Sequence, residues 1–356
     1  MATNYLNVLV DSPEQFSDLH TSEFLEQIVS GTIPDAQIAA FLALMKSSKL
    51  DKDPAHIAAA ASKMLQHAKI IKLNAPLHMA DIVGTGGDGH NTYNASTTAA
   101  IVAAGAGLHV CKHGNKASSS KSGSADLLMS LGAQLNNVTA TSAPDIIDQT
   151  KFTFLYAPVF HPAMAKVAPA RKALAIPTLF NLLGPLLNPA PIRYRLIGVN
   201  SPAIGKLYAE SLQLLDRIRQ NHSSGIVVCG AESLDEISPA GPTHIWTFDS
   251  ESIVESTVTP ADFGLPSHPL SEVKSGTPEE NAEYLTRLLN TPETIPENEP
   301  KLDFVLLNAA ALLYISGVAS SWKDGVVKAR ESIKSGAAKA AFETFAALSR
   351  QAADAS

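Results

Sequence analysis

Residues 79–107 have the sequence MADIVGTGGDGHNTYNASTTAAIVAAGAG, and this stretch decides the fold class. The first five residues, MADIV, predict a short buried strand. A glycine-rich loop follows, and the Ala-rich run that begins at Ser96 predicts a helix. A strand, a tight loop and a helix in this order begin a βαβ unit, which is the building block of a parallel sheet.

The same alternation continues beyond residue 107. Strands are predicted at 108–112, 152–157, 194–199, 225–230 and 244–248, and helices at 123–133, 161–176 and 203–218. Pro169 is expected to disturb the helix at 161–176. Residues 250–300 are rich in Pro, Ser, Thr and Glu and predict irregular surface with one helix near 279–290, whereas 301–350 return to helical patterns.

The N-terminal part of the chain contains helical patterns and no strand pattern. In DPAHIAAAASKMLQHA, Asp53 suits the N-cap and Pro54 the first helical position. We therefore predict a small all-helical domain at 1–75, completed by helices in about 161–190. A larger α/β domain with a mostly parallel central sheet is predicted from 76–160 and 191–350.

Composition excludes several classes of protein. The chain has 356 residues, with 27 basic and 34 acidic side chains and a net charge of −7. This balance argues against a nucleic-acid-binding protein, which needs a basic face. The N-terminal segment has no Arg, unlike a targeting peptide, and the apolar run AAIVAAGAG is too short to cross a membrane. We expect a soluble, cytoplasmic protein that contacts no membrane.

Two cysteines, Cys111 and Cys229, lie far apart in the sequence. They provide neither a disulfide framework nor the spacing of a zinc site. Both are expected to be unreactive thiols in a reducing compartment.

The glycine loop has the pattern G-x-G-x-x-G at Gly84, Gly86 and Gly89. A dinucleotide site of this pattern requires the helix to begin within the glycines, but here HNTYN precedes it. Such a site also needs an acidic residue at the end of the second strand, where this chain has Lys112 and His113. The sequence therefore disfavours a dinucleotide.

The loop nevertheless has the properties of an anion-binding site. Glycines allow consecutive N–H groups to turn toward one concavity. Asn94, Ser96 and Thr97 lie where the helix begins and add N–H groups and hydroxyls to it. The alternative, which the loop alone leaves open, is a tight turn capped by Ser96.

A second polar loop, KHGNKASSSKSGSAD at 112–126, follows the next strand. Loops at the carboxyl ends of neighbouring parallel strands face the same crevice, so both loops are expected to meet. The residues expected beside 84–89 are Lys112, His113, Asn115 and Ser124, and the basic residues of the loop are Lys112, Lys116 and Lys121. The combination suits a ligand with more than one phosphate, although for Lys116 and Lys121 taken singly a solvated position on the loop is favoured.

Two adjacent carboxylates, Asp235 and Glu236, follow the strand GIVVCG. Beside a polyphosphate, they indicate Mg²⁺ held by carboxylates, water and phosphate oxygens, and Asp88 is a further candidate. An exposed acidic turn is the alternative.

Four blocks in order give the sequence a resemblance to the anthranilate phosphoribosyltransferase family of tryptophan biosynthesis. They are DIVGTGGDG…TYNAST, KHGNKASSSKSGSADLL, FHPAMAKVAPARKALAIPTLFNLLGPLLNP and LDEISP. The resemblance is close over 1–240 and looser over 300–345. It implies the two-domain architecture of nucleoside phosphorylases and these transferases, and a homodimer that contacts through the small helical domain.

The resemblance also implies an activity, a cofactor and site residues. The family transfers 5-phosphoribose from phosphoribosyl pyrophosphate to the amine of anthranilate and uses Mg²⁺. The implied donor-binding residues are Gly84, Thr85, Gly86, Gly87, Asp88, Asn94, Ser96, Thr97, Lys112 and Ser124. The implied anthranilate-binding residues are His113, Gly114, Asn115 and Arg171, and the implied metal ligands are Ser96, Asp235 and Glu236.

No residue is expected to act as an acid or base, because an aryl amine is already neutral at pH 7. Lys112 and Arg171 are expected to help electrostatically. From the residues alone, an ordinary surface position on a helix is favoured for Arg171, whereas His113 is equally a structural histidine that bonds its own loop. Three departures from the family pattern are Lys116 in place of Arg, Met129 or Ser130 in place of a Glu, and Ser233 in place of Gly.

Three other functions compete with the transferase. A pyrimidine nucleoside phosphorylase shares the architecture but lacks the GTGGDG loop and the acidic pair. A phosphate-binding protein without activity would not need the intact Lys112, Asn115, Asp235 and Glu236. An NAD-dependent dehydrogenase is disfavoured by the loop itself.

Overall fold

The computed structural model describes residues 2–75, 77–117 and 120–352, and these form seven strands and fifteen α-helices. The strands are β1 (Met79–Gly84), β2 (His109–Gly114), β3 (Phe152–Tyr156), β4 (Ile192–Gly198), β5 (Ser224–Gly230), β6 (Thr243–Phe248) and β7 (Ile253–Val258). The first ten helices are α1 (Ala2–Asp11), α2 (Asp18–Val29), α3 (Asp35–Ser47), α4 (Pro54–Gln66), α5 (Ala95–Gly105), α6 (Ser124–Ser130), α7 (Ala143–Thr150), α8 (Ala157–Phe160), α9 (Ala168–Leu174) and α10 (Phe180–Leu183). The last five are α11 (Gly205–Arg219), α12 (Pro278–Asn290), α13 (Pro300–Ile315), α14 (Trp322–Lys334) and α15 (Ala337–Gln351).

All seven strands form one sheet in the order β3-β2-β1-β4-β5-β6-β7. The pairs from β3 to β5 are parallel, whereas β6 and β7 are antiparallel additions at one edge. The predicted fold class, a small helical domain and an α/β domain with a mostly parallel sheet, is confirmed. Because β2, β1 and β4 are parallel neighbours, the loops after them open at the same edge of the sheet.

The prediction for residues 250–300 is wrong in one respect and correct in another. β7 at Ile253–Val258 is a strand, although the segment was expected to be irregular. β7 is the edge strand, and its middle residues are exposed. Its sequence therefore lacks the alternation of apolar and polar residues by which a half-buried strand is predicted. The predicted helix is present as α12, Pro278–Asn290.

A second apolar core joins the N-terminal helices to residues that follow β3. α9 packs against α3 and α10 packs against α4, and Val167, Ala170 and Phe180 are buried there with Phe41 and Leu42. The predicted bounds of the two domains, including the completion of the small one by about 161–190, remain a prediction.

Local capping accounts for two helix starts in this region. The Asp53 carboxylate accepts hydrogen bonds from the N–H groups of Ala55 at 2.8 Å and His56 at 3.4 Å, as an N-cap does. The segment predicted as helical at 161–176 is interrupted just before Pro169, as predicted: a 3-10 helix at Pro162–Lys166 precedes α9, and Pro169 occupies the first turn of α9. Backbone N–H groups in the first turn of a helix have no intrahelical acceptor. Proline, which lacks an N–H, therefore loses no hydrogen bond there and is tolerated.

Cys111 and Cys229 are both buried, in β2 and β5. Within the described part of the chain, no helix has the length and apolar character needed to span a membrane.

Candidate functional site

A cavity of about 430 Å³ opens where β1 and β2 end. The two polar loops and the acidic pair line it together. Its lining includes Gly84, Thr85, Gly86, Gly87, Asp88, Asn94, Ser96, Thr97, Lys112, His113, Gly114, Asn115, Ser124, Asp235 and Glu236. The structure thus brings together around one cavity every residue assigned to the donor, the acceptor or the metal except Arg171, whereas Lys121 of the second loop does not line it. Ser118 and Ser119 of the second loop lie outside the described residues.

The glycine loop turns N–H groups toward the acidic pair. Gly86 and Gly87 have φ angles of 68° and 75°, in the left-handed region that favours glycine. The Gly86 N–H donates to Asp235 Oδ2 at 2.6 Å. One of the N–H groups that could bind an anion therefore already donates to a carboxylate.

Glycines at the paired ends of β1 and β4 allow the acidic segment to lie across the sheet edge. Gly84 and Gly198 are partners in the parallel register. A Cβ at Gly198 would lie 1.6 Å from the carbonyl oxygen of Asp235, and one at Gly84 would lie 2.3 Å from Asp235 Oδ2. Any side chain at either position would displace Asp235.

The acidic pair is held in an unfavourable electrostatic environment. Burial, with Asp88 nearby, raises the pKa of Asp235 to about 7. Burial, with Asp235 nearby, raises the pKa of Glu236 to about 8. Glu236 Oε1 accepts from the Ser96 N–H at 3.3 Å, whereas Oε2 is buried with no partner among the described residues. Such an arrangement suits a cation, which would satisfy the oxygen and lower both pKa values.

Within the described residues, no group of three His, Cys, Asp or Glu side chains is arranged to enclose a metal ion. A divalent ion at the acidic pair would therefore need ligands from outside that set. Mg²⁺ commonly binds in this way, through one or two carboxylates, waters and phosphate oxygens of the substrate.

Lys112 is 2% exposed and lies beneath the cavity. Its Nζ donates to the Ile82 carbonyl oxygen at 2.5 Å. Burial lowers the pKa of Lys112, and the carboxylates of Asp81, Glu236 and Asp235 oppose that shift. The lysine is thus a buried amino group on the cavity wall, and the three carboxylates favour its charged form.

A second cavity, of about 580 Å³, adjoins the first. It is lined by apolar residues of the segment after β3, and by Arg171, Phe180 and Asn181. The Arg171 guanidinium lies 5.7 Å from the Phe180 ring centroid and makes a long 3.5 Å hydrogen bond to Asn181 Oδ1. The two cavities share the wall formed by Val83, Gly84, Thr85, His113, Gly114, Asn115 and Lys116.

Two buried histidines line this second cavity. The rings of His113 and His161 meet edge to face, with centroids 5.0 Å apart. Burial, reinforced for His113 by the neighbouring His161, lowers the pKa of His113 to about 3, and burial lowers that of His161 to about 4. Both imidazoles are therefore neutral at pH 7.

The His161 pKa predicts a loss of stability in mild acid. The unfolded chain binds a proton near pH 6.5, whereas folded His161 resists until about pH 4, so stability falls as pH decreases below 6.5. Between pH 6.5 and 5 the loss is about 1.5 kcal/mol for such a histidine. Urea unfolding of His161→Gln at both pH values should show a smaller loss than the wild type. His222→Gln, at an exposed position, should match the wild type; equal losses in all three proteins would contradict the prediction.

Ser233 has a φ angle of 70°, in the left-handed region that favours glycine. A residue other than glycine in the left-handed conformation destabilises the folded state by about 1–2 kcal/mol. Glycine removes this strain, but it also increases the conformational entropy of the unfolded chain, which offsets part of the gain. We expect Ser233→Gly to raise the free energy of unfolding by about 0.5–1 kcal/mol in urea titrations. Ser316→Gly, at a φ of −86°, should instead lower it. A destabilised Ser233→Gly protein would refute the strain argument.

The sequence-based prediction missed two residues that line the second cavity and one that contacts the glycine loop. Asn200 Nδ2 donates to the Gly86 carbonyl oxygen at 2.8 Å, and His161 and Asn181 line the second cavity. Asn200 follows β4, the third neighbouring parallel strand, so the strand-end argument applied to the other two loops would have found it. Asn181 lies in a short helix that packs on the small domain, and no local pattern indicates that position.

The chain resembles known proteins over most of its length. The family profile described as "Glycosyl transferase family, a/b domain" matches residues 77–339, and "Glycosyl transferase family, helical bundle domain" matches 3–68. An anthranilate phosphoribosyltransferase from Schizosaccharomyces pombe is 48% identical over 336 residues, 92% of this chain and 91% of the relative.

Solved structures give the same result. Anthranilate phosphoribosyltransferase from Saccharomyces cerevisiae in complex with PRPP and Mg superposes with a TM-score of 0.91 at 37% identity, covering 98% of both chains. The enzyme from that yeast in complex with 4-fluoroanthranilate has a TM-score of 0.89 at 36% identity, again covering 98% of both chains.

Proposed function

This chain belongs to the anthranilate phosphoribosyltransferase family, and from that premise we propose that it transfers 5-phosphoribose from phosphoribosyl pyrophosphate to anthranilate in tryptophan biosynthesis. The products are N-(5-phosphoribosyl)anthranilate and pyrophosphate. The observation that carries the proposal is the wall shared by the two cavities. One cavity is polar and suits the donor, the other is largely apolar and suits an aromatic acceptor, and the reacting atoms would meet at the wall.

In the donor cavity, we assign the glycine loop 84–88 and Lys112 to the diphosphate. Asn94, Ser96, Thr97 and Ser124 complete the phosphate-binding surface. Lys112 offers a buried positive charge, and the loop offers N–H groups that require no rearrangement during the reaction. This assignment is supported by the convergence of these groups on one cavity.

We assign Ser96, Asp235 and Glu236 to Mg²⁺, which would neutralise charge on the departing pyrophosphate. The raised pKa values of both carboxyl groups and the unpartnered Glu236 Oε2 support a cation here. The Asp235 carboxylate accepts a hydrogen bond from the Gly86 N–H. Drawing the carboxylate away would release that N–H for the diphosphate.

In the acceptor cavity, we assign Arg171 to the anthranilate carboxylate, and His113, Gly114 and Asn115 to the wall beside its amine. Neither buried histidine is a strong base, because both pKa values lie near 3 to 4. This agrees with a reaction that needs no acid or base and depends on placement of a neutral amine.

The alternatives have no comparable support. The relatives reported above are all named anthranilate phosphoribosyltransferases, so they do not favour a pyrimidine nucleoside phosphorylase. A binding protein without activity would not explain why the two cavities meet at a common wall.

We further propose a homodimer that contacts through the small helical domain, and a cytoplasmic location. Val10 in α1 and Leu19 in α2 support the dimer, since they are 62% and 61% exposed although apolar. A monomer in sedimentation experiments at micromolar concentration would contradict it.

The test of the proposed function is a fluorescence assay of anthranilate consumption. Fluorescence should fall with time only when phosphoribosyl pyrophosphate and Mg²⁺ are both present, and pyrophosphate should accumulate in equal amount. Thymidine or uridine with phosphate should give no free base. Phosphorolysis without anthranilate consumption would instead identify the phosphorylase.

A further inference from the structure

Asn281 lies on the first turn of α12, in a part of the chain that the sequence motifs do not include. It is 1% exposed and makes three hydrogen bonds. Its Oδ1 accepts from the Gly276 N–H at 3.0 Å, and its Nδ2 donates to Ser275 Oγ at 2.8 Å and to Asn94 Oδ1 at 2.9 Å. A buried amide thus connects α12 to the residue that precedes α5.

Backbone groups at the two ends of this chain of bonds determine how both amides are oriented. The Gly276 N–H can only donate, so Asn281 must present its oxygen there and its NH₂ to Asn94. Asn94 must then present its oxygen to Asn281. Its own NH₂ consequently faces the Ser122 carbonyl oxygen at 3.0 Å, a group that can only accept.

The orientation leaves Asn94 with a free donor. Its Oδ1 receives two donors, Asn281 Nδ2 at 2.9 Å and Ser122 Oγ at 3.1 Å. One Nδ2–H is used by the Ser122 carbonyl oxygen, and the other has no partner among the described residues. Asn94 lines the donor cavity, where a phosphate oxygen needs an N–H and would be repelled by a carbonyl.

We propose that Asn281 is a positioning residue for the donor site, which fixes the polarity of the Asn94 amide so that an N–H faces the diphosphate. The inference rests on the proposed function for the identity of the donor. It does not depend on the acceptor, because the argument requires only a phosphate-bearing ligand in this cavity.

Other contacts hold the loop in place, so a change at Asn281 is expected to rotate the Asn94 amide without releasing the backbone. The Tyr93 N–H donates to the Val273 carbonyl oxygen at 2.8 Å, and the Ser275 N–H donates to that of Asn91 at 2.8 Å. The rings of Tyr93 and Tyr284 also meet edge to face at 5.0 Å.

The test is the affinity for pyrophosphate with Mg²⁺, measured by calorimetry, in Asn281→Asp. The introduced carboxylate has no hydrogen to offer Asn94 Oδ1 and repels it, so the present orientation of the Asn94 amide loses its support from α12 and is favoured only by the Ser122 carbonyl oxygen and hydroxyl. We expect at least a tenfold weaker affinity, and a similar rise in the KM for phosphoribosyl pyrophosphate. Asn281→Ala removes the hydrogen bond to Asn94 Oδ1 without placing a repulsive oxygen there. It should weaken pyrophosphate binding about threefold. The KM for anthranilate should remain within twofold of the wild type in both.

Asn91→Asp is the control for charge. Asn91 lines the donor cavity, and its Oδ1 already accepts from the Lys121 N–H at 3.0 Å. This substitution places the same charge on the cavity wall but leaves the hydrogen bond between Asn281 and Asn94 intact. It should therefore weaken pyrophosphate binding less than Asn281→Asp does.

Four outcomes would overturn the inference. They are unchanged pyrophosphate affinity in Asn281→Asp, an equal loss in Asn91→Asp, a parallel rise in both KM values, and a wild type that does not bind pyrophosphate. A wild type that binds pyrophosphate but consumes no anthranilate would refute the proposed function alone. The affinity differences between variants would then still decide the inference.

Discussion

Replacement of Asp235 by Asn together with Glu236 by Gln is expected to lower kcat about 100-fold, the usual effect of removing one electrostatic stabiliser of a developing charge. The Mg²⁺ concentration that gives half-maximal activity should also rise about tenfold, because amides are poor Mg²⁺ ligands. The measurement is a Mg²⁺ titration of anthranilate consumption at saturating phosphoribosyl pyrophosphate.

Stability separates this effect from a damaged fold. Both carboxyl groups have a raised pKa, so stability falls as pH increases from about 4, where the unfolded carboxyl groups ionise, and the loss is complete above about 7 for Asp235 and about 8 for Glu236. The double variant removes that loss and should be at least as stable as the wild type at pH 8.5 without Mg²⁺. An inactive variant that is also less stable would indicate a structural role.

The matched control is Glu279→Gln with Glu283→Gln, which removes the same two charges from exposed positions on α12. It should keep the wild-type kcat and the wild-type Mg²⁺ dependence. If the Mg²⁺ curves of all three proteins coincide, Asp235 and Glu236 do not bind the metal ion.

Much of the donor cavity was predictable because it obeys a rule about strand ends. Once 79–83 and 108–112 are recognised as neighbouring parallel strands, the loops after them must open at one edge of the sheet. The glycine loop and Lys112 follow from that rule without knowledge of any distance. The strand order that places Asp235 there was not predictable, because it depends on which strands pair.

Other features depend on packing between distant segments, which local patterns do not encode. β7 is an exposed edge strand, so its side chains lack the alternation that identifies a half-buried strand. Asn281 appears in the sequence as an ordinary polar residue of a helix. It acquires its orientation from Gly276 and Asn94, and Asn94 is 187 residues away. The left-handed φ of Ser233 was indicated only by the resemblance, which implies glycine at that position.

Replacement of Arg171 by Ala is expected to raise the KM for anthranilate about 30- to 100-fold, with a change of less than threefold in the KM for phosphoribosyl pyrophosphate. A hydrogen bond between charged groups in a partly buried site contributes about 2–3 kcal/mol, which corresponds to that range. In the described residues the guanidinium makes one long bond, 3.5 Å to Asn181, so its other donors remain available for a carboxylate. Steady-state kinetics with each substrate varied in turn provides the measurement.

Lys172→Ala is the matched control, because Lys172 is the next residue of α9 and is exposed. Removal of its charge should leave both KM values near those of the wild type, since it does not line either cavity. The substrate itself offers a second comparison: aniline lacks the carboxylate, so Arg171→Ala should react with it as slowly as the wild type does. If Arg171→Ala lowers the rate with aniline as much as with anthranilate, the arginine supports the cavity wall and does not bind the acceptor carboxylate.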